Sequence, residues 1–219
     1  MSIKNIIFDF DGTLVDTAPL IVSTMKAAIA ELGLPARTDA ECRSTIGLRL
    51  EDAPRKLWPD MEGLGEIFAS TYRKHFDLLK RPFNVKSFPG VEATLRQLME
   101  SGYNLAIASS RSHRSLREYC ESFDMTDIFR MVVGGDDVAR GKPNPDPVLS
   151  IINAMGWNRD ETLMVGDADV DIMMGKAAGL QTCGVTYGCG TPDELKKAGA
   201  DVIISEFPLI HDVIKNMDK

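Results

Sequence analysis

Short, apolar, β-prone runs alternate with helix-length segments along most of this chain. The candidate strands are residues 4–8, 105–108, 131–133, 163–165, 181–185 and 201–204. The candidate helices are residues 91–101, 113–122, 145–155, 170–177, 192–198 and 207–216. Buried strands that alternate with helices are typical of βαβ units. The pattern therefore predicts a parallel sheet with helices packed on its faces, which is an α/β fold.

One segment, from about residue 18 to residue 85, breaks this alternation. It contains no convincing strand, and residues 50–57 and 63–79 have helical patterns. Apolar and small residues recur there at helical spacing, beginning with Leu20, Ile21, Thr24, Met25, Ala28 and Ile29. We expect an all-helical cap domain over residues 16–85, inserted into a core formed by residues 1–15 and 86–219.

The charge balance restricts the partners of the chain. It has 25 basic and 32 acidic residues, a net charge of −7 at pH 7. This surplus argues against a nucleic acid or an anionic membrane as the main partner, but leaves a small anionic substrate open.

The cysteines and the apolar runs indicate where the protein works. Four scattered cysteines without a CxxC pair, and three isolated histidines, argue against a zinc cluster. The segment before Asp9 lacks the apolar stretch of a signal peptide, and no uncharged apolar run approaches the length of a membrane span. We expect reduced cysteines and a cytoplasmic location.

The sharpest local signal is the run from Asp9 to Thr17. Asp9 and Asp11 directly follow the first predicted strand, and sites form at the carboxyl ends of parallel strands. Gly12 would let backbone amides approach an anion, and Thr13 adds a hydroxyl. A solvated turn is the alternative. A calcium loop is excluded, because the twelfth position counted from Asp9 is leucine rather than glutamate.

A second acidic cluster follows the predicted strand at 163–165. Asp167, Asp169 and Asp171 alternate there, and the sixth and twelfth positions counted from Asp167 do not fit a calcium loop either. Asp167 and Asp171 stand four residues apart at the start of a predicted helix. The helix dipole favours acids at this place, and carboxylates could equally reach a hard cation.

Two further elements lie at strand ends. Lys142 stands between Gly141 and Pro143 in a restricted loop, which suits a fixed cation facing a phosphate; a solvated surface lysine is the alternative. Ser109 and Ser110 end the run at 105–108 and could hydrogen-bond an oxyanion. This serine pair would be unremarkable by itself.

Taken together and in this order, these elements resemble the four motifs of the haloacid dehalogenase-like hydrolase superfamily. The sequence Asp9-Phe-Asp-Gly-Thr resembles the first motif, Ser109 the second, Lys142 the third, and Gly166-Asp167 with Asp171 the fourth. The likeness spans residues 5 to about 205. The helical insertion, and the tail from Tyr187 to Leu195, are similar to the phosphoglycolate phosphatase and β-phosphoglucomutase branch. The resemblance implies a Rossmann-like core with a helical cap.

The resemblance also implies a Mg²⁺-dependent phosphatase that acts on a small phosphorylated metabolite. Asp9 would attack phosphorus and form an aspartyl-phosphate, and Asp11 would act as general acid and then as base. Asp9, Asp167 and the backbone carbonyl of Asp11 would hold Mg²⁺. Asp171 would hydrogen-bond behind these ligands, to Lys142 or to a metal-bound water.

Other residues would bind the substrate. Lys142, Ser109 and the amides near Gly12 would cradle the phosphoryl oxygens, with Thr13 and Ser110 beside them. The stretch from Thr45 to Glu51 resembles the specificity loop of the family, in which Arg49 would pair with a second anionic group of the substrate. A solvated position on a helix is the alternative for Arg49.

Several reaction types remain to be compared. Dehalogenases of the superfamily lack the second aspartate, so Asp11 favours phosphoryl transfer. β-Phosphoglucomutases carry a histidine shortly after the first motif, whereas the corresponding place here is near Ile21 and the first histidine is His75. A phosphonatase would need a Schiff-base lysine in the cap that the sequence does not identify. A sugar-phosphate phosphatase or a pyrophosphatase remains open, as does a non-catalytic module that binds phosphorylated ligands.

The remaining polar residues receive no role from the sequence. His75, His113 and His211 are expected to be incidental. Arg111 and His113, which follow Ser109 and Ser110 closely, are interpreted as residues on a helix surface, and a position facing the cap is the alternative. The sequence does not indicate the oligomeric state.

Overall fold

The computed structural model describes residues 2–80 and 85–217. Six parallel strands form the main sheet, in the order β5-β4-β1-β6-β7-β8. They are β1 Asn5–Phe8, β4 Asn104–Ala108, β5 Phe129–Val133, β6 Thr162–Gly166, β7 Gln181–Val185 and β8 Val202–Ile204. Two short strands outside this sheet are β2 Val15–Asp16 and β3 Lys86–Ser87. The predicted parallel sheet is confirmed.

Helices cover both faces of this sheet, as the alternating pattern predicts. They are α5 Val91–Glu100, α6 His113–Ser122, α7 Asp146–Met155, α8 Asp169–Ala177, α9 Pro192–Lys197 and α10 Ile210–Met217. Single 3₁₀ turns occupy Arg159–Glu161 and Phe207–Leu209.

Alternate residues of β1 divide the core between the two faces. Ile6 and Phe8 pack in a cluster that includes apolar residues of α5, α6 and α10. Ile7 packs in a second cluster, which includes residues of α7 and α8. All four residues of β1 are buried, because it is a central strand covered on both sides.

The helical cap lies between β2 and β3 along the chain. It contains α1 Ala18–Glu31, α2 Asp39–Arg43, α3 Ala53–Leu57 and α4 Gly65–Leu79. Met25, Trp58 and Phe68 belong to an apolar cluster of its own, so the cap does not depend on the sheet for its core. The part of the predicted cap at residues 81–84 lies outside the described residues.

Three short elements of this region, one helix and two strands, have no counterpart in the sequence pattern. Helix α2 has five residues, too few to show a repeating helical pattern, and a capping box between Thr38 and Glu41 stabilises its start. Strands β2 and β3 pair antiparallel, with Val15 opposite Ser87 and Asp16 opposite Lys86. This ribbon brings together the two places where the chain passes between core and cap. The exact cap boundaries, 16 and 85, stay a prediction.

Within the described ranges, no helix is both long enough and apolar enough to cross a lipid bilayer.

Candidate active site

The acidic and basic residues predicted from the sequence meet at the carboxyl edge of the sheet. Asp9 follows β1, Ser109 follows β4, and Asp167 follows β6. These three strands are neighbours, so the residues that follow them are brought close together. Lys142 comes from the loop between β5 and α7, and Asp171 lies in the first turn of α8.

Lys142 is the cation at the centre of this cluster. Its ammonium group donates hydrogen bonds to Oδ1 of Asp9 and to Oδ1 of Asp171, the latter at 2.6 Å. All three side chains are almost completely buried. The other oxygen of Asp9, Oδ2, is buried without any hydrogen-bond partner. This oxygen is suited to bind a further donor or a cation, because buried carboxylates normally have their lone pairs satisfied.

Burial and the neighbouring charges shift the pKa of both partners. Burial raises the pKa of Asp9 well above its ordinary value, and Lys142 opposes this shift. For Lys142, burial alone would lower the pKa, but the carboxylates of Asp171 and Asp9 reverse the effect and raise it. Lys142 is thus a permanent cation in this site.

Asp167 is fixed by two donors from different parts of the chain. Its Oδ1 accepts a hydrogen bond from the Thr13 hydroxyl at 3.0 Å, and its Oδ2 accepts one from the Cys189 backbone amide at 2.7 Å. Burial, followed by the charge of Asp171, raises the pKa of Asp167 to about 7. The Asp167 carboxylate is oriented, yet costly to ionise in the absence of a cation.

Gly12 is the residue whose conformation permits this close arrangement. Its φ is +87°, in the left-handed region that favours glycine. A Cβ at this position would collide with the Asp167 carboxylate. The Gly12 amide donates to the carbonyl of Val15 at 2.9 Å, so it stabilises the turn.

The same cluster has the composition of a site for a hard cation. Carboxylate oxygens of Asp9, Asp167 and Asp171 all lie within 4.8 Å of one another. Three buried carboxylates face one ammonium group, and one of their oxygens has no partner. A divalent cation would offset this excess of negative charge, and Mg²⁺ prefers carboxylate oxygens. The residues present therefore fit Mg²⁺.

Asp11 lies beside this cluster but has its own partners. Thr17 donates to its Oδ1 at 2.6 Å. The guanidinium of Arg111 donates to the same oxygen from Nη2 at 2.6 Å, and Nε of Arg111 is shared between Oδ1 and Oδ2 at 3.2 and 3.0 Å. Asp11 is consequently held in one orientation by three donor groups.

Arg111 is the residue of the candidate site to which the sequence analysis gave no role. The expected position on a helix surface is wrong: its side chain is only 8% exposed and forms an ion pair with Asp11. It lies in the loop between β4 and α6, two residues after Ser109. A one-dimensional pattern carries no signal that distinguishes this arginine from a solvated one, since the distinction depends on Asp11, 100 residues away in the chain.

Of the predicted substrate-binding residues, Ser109, Ser110 and Arg49 line the cavity between cap and core, whereas Gly12 and Thr13 are not part of its lining. Ser109 is buried, and its Oγ accepts a hydrogen bond from the Arg111 amide at 3.3 Å. The Ser110 hydroxyl donates to the carbonyl of Gly47 in the cap at 2.6 Å. Thr13 already donates its hydroxyl to Asp167, so it orients that carboxylate.

A cavity of about 790 Å³ opens between the cap and the core. Asp9, Asp11, Ser109 and Arg111 line it from the core side, and the cap contributes the loop around Arg49. The volume is ample for a small phosphorylated molecule.

Arg49 joins the cap to the loop that carries Lys142. Its guanidinium donates to the carbonyls of Gly135, Val138 and Ala139 at 2.7, 2.5 and 2.9 Å, while its Nε is buried without a partner. These acceptors are neutral, so they do not neutralise the positive charge that Arg49 brings to the cavity wall.

Comparison with known proteins identifies a family. The family profile described as haloacid dehalogenase-like hydrolase matches residues 6–185. A crystal structure from Bacteroides fragilis, assigned to the haloacid dehalogenase-like hydrolases, superimposes with a TM-score of 0.90 at 30% identity and covers 95% of this chain and 99% of that one. A hydrolase from Pseudomonas syringae gives a TM-score of 0.85 at 25% identity, with 98% of both chains covered.

Two curated relatives match over nearly their full length. The pyrophosphatase PpaX of Halalkalibacterium halodurans is 34% identical, with 98% of each chain covered. The phosphoglycolate phosphatase of Yersinia pestis is 30% identical over 94% of this chain and 90% of its own.

Proposed function

Because this chain belongs to the haloacid dehalogenase-like hydrolase family and is a hydrolase of phosphate esters, we propose that it hydrolyses a small phosphomonoester by a Mg²⁺-dependent route through an aspartyl-phosphate. The observation that carries the proposal is the unpartnered, buried Oδ2 of Asp9 beside the Lys142 ammonium. One oxygen of this carboxylate accepts from Lys142, and the other has free lone pairs that a divalent cation could use.

Asp9 is the nucleophile in this proposal. Its carboxylate attacks the substrate phosphorus, a P–O bond to Asp9 forms, and the bond to the leaving alcohol breaks. Lys142 supports the reaction because its positive charge stays beside the Asp9 oxygens and the transferring phosphoryl group. Ser109, buried beside the cavity at the end of β4, is suited to donate to a phosphoryl oxygen.

Asp11 is the group that moves protons. It gives a proton to the leaving alcohol in the first step and takes one from the attacking water in the second. Its position, two residues after Asp9 and on the wall of the same cavity, supports this assignment. The donors from Thr17 and Arg111 determine which way its oxygens point.

Asp9, Asp167 and the backbone carbonyl of Asp11 would hold the metal, with Asp171 adjacent to them and bonded to Lys142. When bound, Mg²⁺ would draw negative charge from the phosphoryl oxygens and offset the excess charge of the buried carboxylates. The unpartnered Asp9 oxygen and the raised pKa of Asp167 support a cation site here. Full turnover after exhaustive chelation would disprove the requirement for a metal.

The leaving group is expected to carry a second anionic group. Arg49 lies on the cavity wall with a charge that its carbonyl partners do not neutralise. A carboxylate or phosphate on the leaving group would compensate it, as in a phosphoglycolate-like substrate. The pyrophosphatase relative, 34% identical, favours pyrophosphate as a second candidate. A panel of phosphoglycolate, pyrophosphate and β-glucose 1-phosphate with Mg²⁺, ranked by kcat/KM for phosphate release, compares these substrates. A mutase would isomerise β-glucose 1-phosphate without releasing phosphate.

The decisive variant is Asp9→Asn. It keeps the shape of the side chain but removes the nucleophile, so turnover should fall by at least ~10³-fold. Asp169→Asn is the matched control, because Asp169 is an exposed acid of the fourth motif, and it should keep the wild-type rate. Acid quenching of the wild type with labelled substrate should trap a phosphorylated Asp9. A non-catalytic binding module would instead leave ligand affinity unchanged in Asp9→Asn and show no turnover in either protein.

We also propose that residues 16–85 form the cap domain. A small phosphorylated metabolite as substrate supports a cytoplasmic location.

A further inference from the structure

The two oxygens of Asp11 are unequally occupied. Oδ1 accepts from the Thr17 hydroxyl and from Nη2 of Arg111, and it shares Nε of Arg111. Among the described residues, Oδ2 accepts only from that shared Nε, at 3.0 Å. A carboxylate oxygen has two lone pairs, so Oδ2 keeps one for a further donor. Asp11, which carries this free lone pair, lines the cavity.

Arg111 can donate but cannot accept, because a guanidinium has only N–H groups. Its contacts with Asp11 therefore use lone pairs of the two carboxyl oxygens. The ion pair is also sheltered, with side-chain exposures of 8% and 11% for Arg111 and Asp11. Charge-assisted, two-point contacts of this kind fix orientation strongly.

Groups from both the core and the cap hold the guanidinium itself. Nη1 donates to the Ser115 hydroxyl at 3.0 Å. The guanidinium carbon lies 4.8 Å from the ring centroid of Tyr119 on α6 and 5.2 Å from that of Phe76 on α4. Both distances are within the range of a cation–π contact. The cap helix α4 thus contributes directly to the place that Arg111 takes.

We propose that Arg111 is a positioning residue that orients the Asp11 carboxylate as the base of the hydrolytic half-reaction, with Phe76 of the cap holding Arg111 in place. This inference rests on the proposed function. In that step the oxygen of a water bonds to phosphorus, the bond between phosphorus and Asp9 breaks, and its electron pair returns to Asp9. The proton of the water goes to Oδ2 of Asp11, and inorganic phosphate leaves.

A direct contact between Arg111 and the substrate fits the structure less well. Asp11 neutralises the charge of Arg111, and the three guanidinium nitrogen atoms of Arg111 all donate to protein oxygens. Arg49, in contrast, donates to three neutral carbonyls, and within the described ranges no carboxylate forms a salt bridge with it. Binding of an anionic leaving group is therefore a task for Arg49, while Arg111 acts through Asp11.

This role has a kinetic signature that a purely structural arginine would lack. p-Nitrophenyl phosphate forms the aspartyl-phosphate without needing a proton from the enzyme, because p-nitrophenolate is a stable leaving anion. Loss of the oriented base then slows only the release of phosphate from Asp9. The value of kcat and the value of KM should fall together, while kcat/KM, which reports the first step, changes much less.

The experiment uses full-length protein with Mg²⁺ and p-nitrophenyl phosphate. Arg111→Gln should lower kcat by about 10-fold or more, a part of the 10²- to 10⁴-fold that acid–base catalysis contributes. Rapid mixing should show a burst of p-nitrophenolate approaching the enzyme concentration. Arg111→Lys keeps the charge but loses the forked geometry, and its kcat should lie between those of Gln and wild type.

Two further variants keep the test sound if Arg111→Gln folds poorly. Phe76→Leu keeps an apolar side chain in the cap and should change kcat and KM in the same direction by a smaller factor. Arg96→Lys is the matched control, because Arg96 forms an ion pair with Asp124 away from the cavity, and its kinetics should equal those of wild type.

The outcomes separate this inference from the proposed function. Equal losses of kcat and kcat/KM in the Arg111 variants, without a burst, would overturn the positioning role. A raised KM at unchanged kcat would overturn it as well, in favour of substrate binding. If the wild type forms no phosphorylated Asp9, the proposed function itself fails, whatever the Arg111 variants do.

Discussion

Replacing Lys142 with methionine tests how the buried charges are balanced. Its ammonium group has no solvent exposure and lies between the carboxylates of Asp9 and Asp171. Methionine retains much of the apolar stem but no charge, so two buried carboxylates lose their cation. Removing one partner of a buried ion pair costs about 3–5 kcal/mol in free energy of unfolding. At about 2–4 °C per kcal/mol for a chain of this size, Tm should fall by roughly 6–20 °C.

The measurement is thermal unfolding, followed by circular dichroism at pH 8 in the presence of EDTA. At this pH Asp167 is ionised, since its pKa is raised only to about 7. Repeating the scan with MgCl₂ should shrink the loss, because a divalent cation offsets the missing positive charge. Lys176→Met is the control: its ion pair with Asp201 is about one-third exposed, and its loss should cost less than ~1 kcal/mol.

A second variant separates charge from packing. Combining Lys142→Met with Asp171→Asn removes one of the two stranded charges, so the double variant should be more stable than Lys142→Met alone. A loss under ~1 kcal/mol for Lys142→Met in EDTA would refute the reasoning. A double variant no more stable than the single one would refute it too, since the loss would then come from packing.

Three further predictions concern the metal and the substrate. The Tm increase caused by Mg²⁺ should grow from pH 5 to pH 8, because the metal displaces a proton from Asp167, whose pKa is raised to about 7. Without metal, the stability of the protein should fall as the pH rises from about 4 to 7. A Tm increase that does not depend on pH would contradict this prediction. Gly12→Ala should abolish both turnover and the Mg²⁺-induced Tm increase, while Gly33→Ala, with a similar positive φ and no atom near its Cβ position, should keep both. In steady-state assays, Arg49→Ala should raise KM more for a substrate with an anionic leaving group than for one with an uncharged leaving group. Arg55→Ala is the exposed control and should change neither KM value. Equal effects of Arg49→Ala on both substrates would reject the binding role of Arg49.

The regular elements were predictable because each carries a local pattern long enough to read. Residues 105–108 and 163–165 are continuous apolar runs and form β4 and β6. The start of α8 was predictable because Asp169 and Asp171 lie in its first turn, where the helix dipole favours acidic side chains. The ribbon of β2 and β3 has two residues on each side, which is too short for any periodicity, and its pairing joins residues about 70 positions apart.

The same contrast applies to the active site. The sequence by itself determined the family motifs and, through strand ends, the convergence of Asp9, Lys142, Asp167 and Asp171 at one edge of the sheet. Residues that follow different strands are far apart in the chain, but they come close together because the carboxyl ends of parallel strands lie at the same edge of the sheet.

Only the tertiary structure decided how the polar groups are paired. Arg111 pairs with Asp11 and stacks on Phe76 from the cap, Thr13 orients Asp167, and Arg49 joins the cap to three core carbonyls. Each contact depends on the direction of a side chain and on the burial of its partner. Neither the direction of a side chain nor the burial of its partner can be inferred from residue type and spacing alone, because both arise when distant segments pack together and exclude water.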